Sequence, residues 1–306
     1  MPAVLPAMSR DRLSMSTAKS SNPERRNRRA ERLDGIGCVV TGGASGIGLE
    51  VARELARLGG AIGILDLDEE KARSTALLIG RDYSCKSAGA AADVVDAAGV
   101  RSAFGELGAR IGPIGVLVNC AGIMTPRMVP LTEMPISDFE DMLNVHVKGT
   151  FICSQASLAS MQRQAFGRII NISSVLGILG LPFRIGYATA KAAIIGFTRS
   201  LAVEVARQGV TVNAVAPGYI LTSTLQQRVD AGMIDYARLA ERAPVGRWGL
   251  PEEVARVIGF LALPGSAFIT GAIVPIDGGY TVRGDPNEAI GDRPASLDPV
   301  RDMFRT

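Results

Sequence analysis

From residue 36 onward the chain alternates short apolar runs with amphipathic segments, and a glycine-rich turn follows the first run. Residues 36–40 are apolar, residues 47–58 are amphipathic, and residues 61–65 are apolar again and end on Asp66. Residues 69–79 carry helical spacing, residues 116–118 read as a strand, and residues 139–164 read as one long helix. A strand at 168–172, a helix at 187–207, a strand at 210–216, a helix at 251–263 and a strand at 272–276 complete the series. Residues 84–92 are the place for one more strand, on a weaker signal. Strands that are apolar on both faces and alternate with helices need a parallel sheet covered on both sides. Right-handed crossovers then give a three-layer α/β fold with a doubly wound parallel sheet of the Rossmann type, about seven strands wide. The abundance of Ala, Gly, Val and Ile within a 47% hydrophobic chain suits helices lying close on buried strands.

The two ends read differently. Residues 1–34 carry Arg10, Arg12, Lys19, Arg25, Arg26, Arg28, Arg29 and Arg32 among Ser, Asn and Pro, with almost no apolar periodicity. They are expected to form a disordered, solvated basic arm. The arm lacks the apolar run of a secretory signal, and Asp11, Glu24 and Glu31 argue against a transit peptide. Residues 35–280 form the expected dehydrogenase-type domain, with no internal repeat, and residues 281–306, rich in Asp, Arg and Pro, form a tail.

Several classes are disfavoured. A net charge of +3 gives no strong pull toward nucleic acid or an anionic membrane. No window approaches 18 uninterrupted apolar residues, so no membrane span is expected. Cys38, Cys85, Cys120 and Cys153 form no C-x-x-C pair, and His146 is the single histidine, so no metal site is expected. Four small thiols suit a reducing compartment, and a cytoplasmic location is expected.

The turn reads Thr41-Gly42-Gly43-Ala44-Ser45-Gly46-Ile47-Gly48. Glycines at 42, 46 and 48 let the backbone turn tightly and approach a pyrophosphate, while the following helix points its free N–H groups and positive dipole end at the phosphates. The spacing is G-x-x-x-G-x-G rather than G-x-G-x-x-G. Asp66 ends the second strand, where an acid accepts hydrogen bonds from the adenosine ribose hydroxyls of NAD. A 2′-phosphate there meets a like charge, and no Lys or Arg replaces Gly43 or Leu67 to offset it. NAD is therefore the expected cofactor. Asp93 and Val94 precede a helix start and could face adenine, with capping as the competing role of Asp93. Asn119-Cys120-Ala121-Gly122 follows a strand; its small residues allow close backbone approach, and Asn119 could tie strand ends together.

Tyr187 and Lys191 lie four apart at a helix start and so share one face. A free tyrosine pKa of about 10 is too high for a base near neutrality, and reaching about 7 requires roughly 4 kcal/mol of preference for the phenolate. An ammonium about 4–5 Å away supplies most of that at an effective dielectric near 20. Ser174 comes 13 residues before Tyr187, just after a strand, and so falls at the carboxyl edge where ligands bind. Its neighbour Ser173 is the rival, and loop capping is the plain alternative for both.

These motifs, in this order, resemble the short-chain dehydrogenase/reductases in their single-domain branch, over about residues 33–280. The resemblance rests on T-G-x-x-x-G-I-G at 41–48, Asp93, N-C-A-G at 119–122, Asn144 in N-V-H-V-K-G-T, Ser174, Tyr187-x-x-x-Lys191, Pro217-Gly218 with Thr222, and D-G-G-Y at 277–280. It implies Tyr187 as general acid/base and Lys191 as the group that lowers its pKa and holds the nicotinamide ribose. It implies Ser174 on the substrate oxygen, Asn144 holding a water that links Lys191 to solvent, and Ile220 and Thr222 at the nicotinamide carboxamide. Cys120 stands where a second asparagine is usual. His146 is given no chemical role and reads as structural. A homotetramer is the implied assembly, with a dimer second.

The substrate loop is expected at about residues 219–249, mixing Leu225, Met233, Ile234, Tyr236, Leu239 and Trp248 with Arg228, Arg238 and Arg242. Leu176, Leu181, Phe183 and Tyr219 are candidates for the other wall. Such a pocket suits an alcohol or ketone of alicyclic, steroid-like or polyol type. The competing functions are an NADPH-dependent acyl-carrier-protein ketoreductase, a sugar-nucleotide epimerase, for which the chain has no room, and a non-catalytic dinucleotide sensor.

Overall fold

The computed structural model describes residues 30–283. Among them, seven strands form one sheet: β1 (Gly37–Thr41), β2 (Ala61–Asp66), β3 (Ser87–Ala91), β4 (Ile114–Asn119), β5 (Gly167–Ile172), β6 (Val210–Pro217) and β7 (Ile273–Ile276). Their order is β3-β2-β1-β4-β5-β6-β7, and every neighbouring pair is parallel. The winding reverses between β1 and β4, which opens a crevice at the carboxyl ends of those strands.

Side chains alternate across each strand and feed two cores. Cys38, Val40, Ile62, Ile64, Val116, Val118 and Ile170 pack under α1 (Gly46–Arg57), α2 (Glu69–Tyr83) and α9 (Pro251–Ala262). Val39, Leu65, Leu117, Ile169 and Val212 pack under α3 (Ala97–Ile111), α5 (Gly149–Gln164) and α6 (Ile185–Val205). Each fully buried Leu or Ile contributes about 1.5–3 kcal/mol, so the two apolar layers fix which way every strand faces. The shorter helices α4 (Ile136–Leu143), α7 (Ser223–Asp230) and α8 (Tyr236–Ala240) lie in the β4–α5 and β6–α9 connections.

Where the sequence signal was weak or the structure departs from it, the causes are physical. The helix expected at 139–164 is two helices joined by a π turn, Asn144–Lys148, in which the Gly149 N–H reaches back to the Asn144 carbonyl. β3 gives a weak signal because its sequence, SAGAA, has no β-branched residue. Small residues are needed there: a Cβ on Gly89 would overlap the backbone of Ala72 in α2. For helix α3 the sequence reading gives only a start after Asp93 and Val94 and no extent; Gly99, Gly105 and Gly108 dilute it, although Val100, Ala103, Phe104, Leu107 and Ile111 do keep the helical spacing. Leu33, assigned to the basic arm, is fully buried in the core, and its N–H donates to the Leu58 carbonyl at 2.8 Å.

Residues 1–29 of the arm and residues 284–306 of the tail lie outside the described residues, while Thr281 is held by the Asp277 carboxylate at 2.8 Å. No helix among the described residues is long and apolar enough to cross a membrane.

Candidate active site

The glycine-rich turn lies in the crevice between β1 and β4. Gly42 has a φ of +63°, and a Cβ on it would come within 2.9 Å of the Ala121 Cα. A Cβ on Gly48 would overlap the Gly42 carbonyl. Thr41 Oγ1 receives the backbone N–H groups of Cys120 and Ala121, both at 3.0 Å, and so fastens the turn to the segment after β4. Ser45 is the N-cap of α1 but makes no side-chain capping bond, so the amides of Gly46, Ile47 and Gly48 keep the free donors of a helix start. That cradle fits a dinucleotide pyrophosphate.

The Asp66 carboxylate receives the N–H of Ala44 at 3.2 Å and that of Leu67 at 2.9 Å. It therefore sits at the turn as an acceptor, while the Leu67 side chain is exposed. Thr222 reaches the same place from the other side: a Cβ on Gly46 would lie 3.5 Å from its methyl group. Thr222 also caps α7, and Pro217 and Gly218 end β6.

Four other expected cofactor residues also make contacts inside the fold. Asp93 closes a turn by accepting the Val95 N–H at 3.0 Å, while the cap of α3 is Asp96. Val94 is buried close against Gly149. Asn119 Nδ2 donates to Asn171 Oδ1 at 2.8 Å and to Ser154 Oγ at 3.1 Å, which ties β4 to β5 and α5 and commits this side chain inside the fold. The Ile220 side chain belongs to the core, leaving only its backbone for the crevice.

Ser174, Tyr187 and Lys191 come together across the carboxyl edge from this turn. Ser173 and Ser174 separate cleanly. Ser173 is buried and donates to the Lys191 carbonyl at 2.9 Å, a bond inside the fold. Ser174 caps the turn Val175–Gly177 by accepting the Leu176 N–H at 3.1 Å, and its hydroxyl adjoins the Tyr187 phenol. Tyr187 lies in the first turn of α6. Lys191, one turn on, is buried, with Nζ 5.4 Å from the centre of the Tyr187 ring and donating to the Ile172 carbonyl at 2.9 Å. Burial pulls the Lys191 ammonium down to about 8, with Cys120 acting against the shift. Burial also pushes Tyr187 above its ordinary value, while Ser174 and Arg184 pull the other way. The expectation of a tyrosine already lowered by its lysine is thus corrected for the protein alone, because the phenolate loses more hydration than these neighbours return.

Asn144 and His146 are placed differently in the structure. Asn144 is exposed, whereas His146 is buried, with its ring centre 5.5 Å from that of Tyr187 in an edge-to-face arrangement. Residues two apart on a helix point to nearly opposite sides at about 100° each. The buried stripe runs Asp138, Met142, His146, Thr150, at spacing four, and Asn144 falls outside it. His146 Nε2 meets Ile123 at two atoms, its carbonyl at 3.0 Å and its N–H at 3.4 Å, of which the shorter makes Nε2 the donor; Gly122 lies against the ring, where a Cβ would be 2.5 Å from Cε1. The spacing from Met142 was the signal available in the sequence.

The loop after β6 packs on itself and on the segment after β7 through tilted and edge-to-face aromatic rings. Tyr219 lies 5.4 Å from Trp248 and 6.0 Å from Tyr280, and Tyr236 lies 5.1 Å from Trp248. Leu239, Val245 and Ile276 line the same pocket with the Arg247–Glu253 ion pair. Phe183, a candidate wall residue in the sequence, is exposed and holds a left-handed φ of +62°, a costly conformation for a side chain of that size.

A family model described as enoyl-(acyl carrier protein) reductase matches residues 42–281. The 3-oxoacyl-[acyl-carrier-protein] reductase of Aquifex aeolicus is 38% identical over 81% of this chain and 98% of its own. The cis-4-hydroxycyclohexanecarboxylate dehydrogenase of Sinomonas cyclohexanicum is 39% identical over 82% and 97%. Among solved structures, a gluconate 5-dehydrogenase from Burkholderia cenocepacia, in complex with NADP and tartrate, superposes with a TM-score of 0.78 at 38% identity, covering 84% of this chain and 100% of that one. The chain belongs to the short-chain dehydrogenase/reductase family, an oxidoreductase family that binds a nicotinamide dinucleotide.

Proposed function

We propose that the chain is an NAD-dependent oxidoreductase that interconverts a secondary alcohol and a ketone, with Tyr187 as general acid/base. The observation that carries this reading is the meeting of Ser174, Tyr187 and Lys191 at the carboxyl edge, beside an uncapped helix start. NAD, when bound, would supply the hydride acceptor and, in its oxidised form, a positive charge that favours the phenolate. In oxidation Tyr187 takes the proton of the substrate hydroxyl; in reduction it returns one to the ketone oxygen. Ser174 hydrogen-bonds that oxygen as its charge changes. The Lys191 ammonium favours the phenolate, and two of its N–H groups remain beyond the one given to Ile172 for the phenol and a ribose hydroxyl.

NAD is favoured over NADP because the Asp66 carboxylate stands at the end of β2. A 2′-phosphate about 4 Å away meets roughly 4 kcal/mol of repulsion per unit charge at an effective dielectric near 20. The aromatic pocket around Tyr219 and Trp248 suits an alicyclic or similarly apolar substrate, and the cyclohexane ring in the name of one relative is in keeping with that. The acyl-carrier-protein reductase relative and the NADP-bound neighbour favour a second reading, an NADPH-dependent 3-oxoacyl reductase. A dinucleotide sensor has no use for the Ser174–Tyr187–Lys191 set. The unpaired thiols fit a cytoplasmic enzyme, and exposed Phe151 on α5 and Val203 on α6 fit a homotetramer.

The test is turnover of a panel of alicyclic alcohols, polyols, steroid alcohols and 3-oxoacyl thioesters with each of NAD⁺, NADH, NADP⁺ and NADPH, beside Tyr187→Phe. Oxidation with NAD⁺ that falls at least about a hundredfold in Tyr187→Phe is expected. Full activity in that variant overturns the mechanism, and turnover confined to NADPH and a thioester establishes the second reading.

A further inference from the structure

His146 is a buried titratable side chain against Tyr187 for which the reaction above has no use. It enters from the π turn, on a different element from either Tyr187 or Lys191. Three contacts hold it. Its Nε2–H is anchored on the Ile123 carbonyl at 3.0 Å, its ring meets the Tyr187 ring edge to face at 5.5 Å, and Gly122 leaves it the space a Cβ would fill. Nδ1 is buried with no partner among the described residues. With the shorter contact, to the carbonyl, taken as the bond made, Nε2 carries the proton and Nδ1 is the lone-pair nitrogen of a neutral imidazole.

A ring fixed this way limits where the Tyr187 ring can go. Tyr187 carries its hydroxyl at the far end of a side chain that turns about two bonds, and the base strength of that hydroxyl depends on its distance from the Lys191 ammonium. The titratable and charged groups around the pair are His146 from the π turn, Cys120 after β4 and Arg184 at the start of α6. Of these, only His146 stacks against the tyrosine.

We propose that His146 is a positioning residue for the reaction: an uncharged, hydrogen-bonded wedge that holds the Tyr187 phenol on the Lys191 side of the site. This rests on Tyr187 being the acid/base. The hydrogen bond to Ile123 matters as much as the volume, because it fixes the rotation of the ring and ties the π turn to the segment after β4. An imidazolium could not serve here, because it would place a second cation beside Lys191.

The experiment compares wild type with His146→Leu, His146→Asn and Tyr187→Phe, all as the full chain, on an alcohol that the wild type oxidises. The readouts are kcat, KM, NADH affinity by fluorescence, and the pH dependence of kcat/KM for the alcohol at saturating NAD⁺. Leucine fills the volume without the hydrogen bond; asparagine keeps an N–H donor for Ile123. His146→Leu is expected to lose about tenfold or more in kcat, with NADH affinity within about threefold of wild type. Its rising alkaline limb is expected to move up by about one pH unit as the phenol drifts from the ammonium. His146→Asn is expected to recover much of both losses.

A His146→Leu enzyme with the kcat and pH profile of wild type overturns the proposal, and so does a His146→Asn no better than His146→Leu. Should His146→Leu not fold, His146→Asn decides alone: a pH profile and kcat within about twofold of wild type upholds the anchored-donor role, and a loss equal to that of Tyr187→Phe overturns it. Activity retained by Tyr187→Phe defeats the reading of Tyr187 itself, a result distinct from a silent His146.

Discussion

The Asp66 carboxylate receives the backbone N–H of Ala44 at 3.2 Å, joining the end of β2 to the glycine-rich turn 22 residues earlier. The same acid that is to select the cofactor therefore also shapes the loop that is to hold its phosphates. Asp66→Ala is expected to shift the ratio of kcat/KM for NAD⁺ over NADP⁺ toward NADP⁺ by roughly ten- to a hundredfold, a repulsion reduced from its close-range value because the group is partly solvated. Activity with NAD⁺ is expected to fall as well, since the Ala44 N–H loses its acceptor. Steady-state kinetics with both cofactors check this; an unchanged ratio removes Asp66 from the selection.

Thr41 is fully buried at the neighbouring strand end, and its hydroxyl accepts two backbone N–H groups, those of Cys120 and Ala121. Thr41→Val leaves both donors without a partner, at about 1–3 kcal/mol for each buried group. Thr41→Ser keeps the oxygen. Urea unfolding is expected to show a drop of roughly 2–4 kcal/mol for valine and under about 1 kcal/mol for serine.

A methyl group at position 122 would stand 2.5 Å from His146 Cε1, closer than real Cβ contacts come. Gly122→Ala must therefore push the imidazole toward Tyr187 or the backbone away from it. About 1–3 kcal/mol of stability is expected to be lost, with a fall in kcat larger than the fall in NADH affinity. A fully active Gly122→Ala enzyme of wild-type stability would show that the ring yields freely.

Burial, with help from the Lys191 ammonium, pushes the His146 imidazole down to about 3. In the unfolded chain it titrates near its ordinary value of about 6.5. Between these values the unfolded chain holds a proton that the folded one lacks, so stability rises with pH across that window. The contribution is complete above about pH 6.5 and is lost progressively on acidification toward pH 3, with a ceiling of roughly 5 kcal/mol. Because His146 is the only histidine, His146→Leu is expected to flatten the acid slope of stability between pH 6.5 and 4. Parallel slopes in the two proteins would mean that the imidazole titrates normally.

The roles of Ser174 and Ser173 could not be divided from their order alone, because adjacent residues leaving a strand differ only in which way each points. The structure divides them by the bond from Ser173 to the Lys191 carbonyl and by the burial that comes with it. Asn119 offered two roles in the sequence, and its hydrogen bonds to Ser154 and Asn171 select the one inside the fold. Those partners lie 35 and 52 residues away, beyond the reach of any local pattern.

Local chemistry was enough for the sheet, the crevice and most of the site. Continuous apolar runs, amphipathic runs near 3.6, and glycines at a tight turn are properties of neighbouring residues, and they carry the alternation of strands and helices and the place of Thr41–Gly48, Asp66, Tyr187 and Lys191 along it. What only the tertiary structure decided is the rotation of the segment 136–164. Its sequence allows Asn144 or His146 to face the tyrosine. The π turn, the packing of Met142 against Gly186 and the space left by Gly122 turn the helix so that His146 does. A helix fixes how side chains are spaced around its axis, and only what it packs against fixes which of them looks into the site.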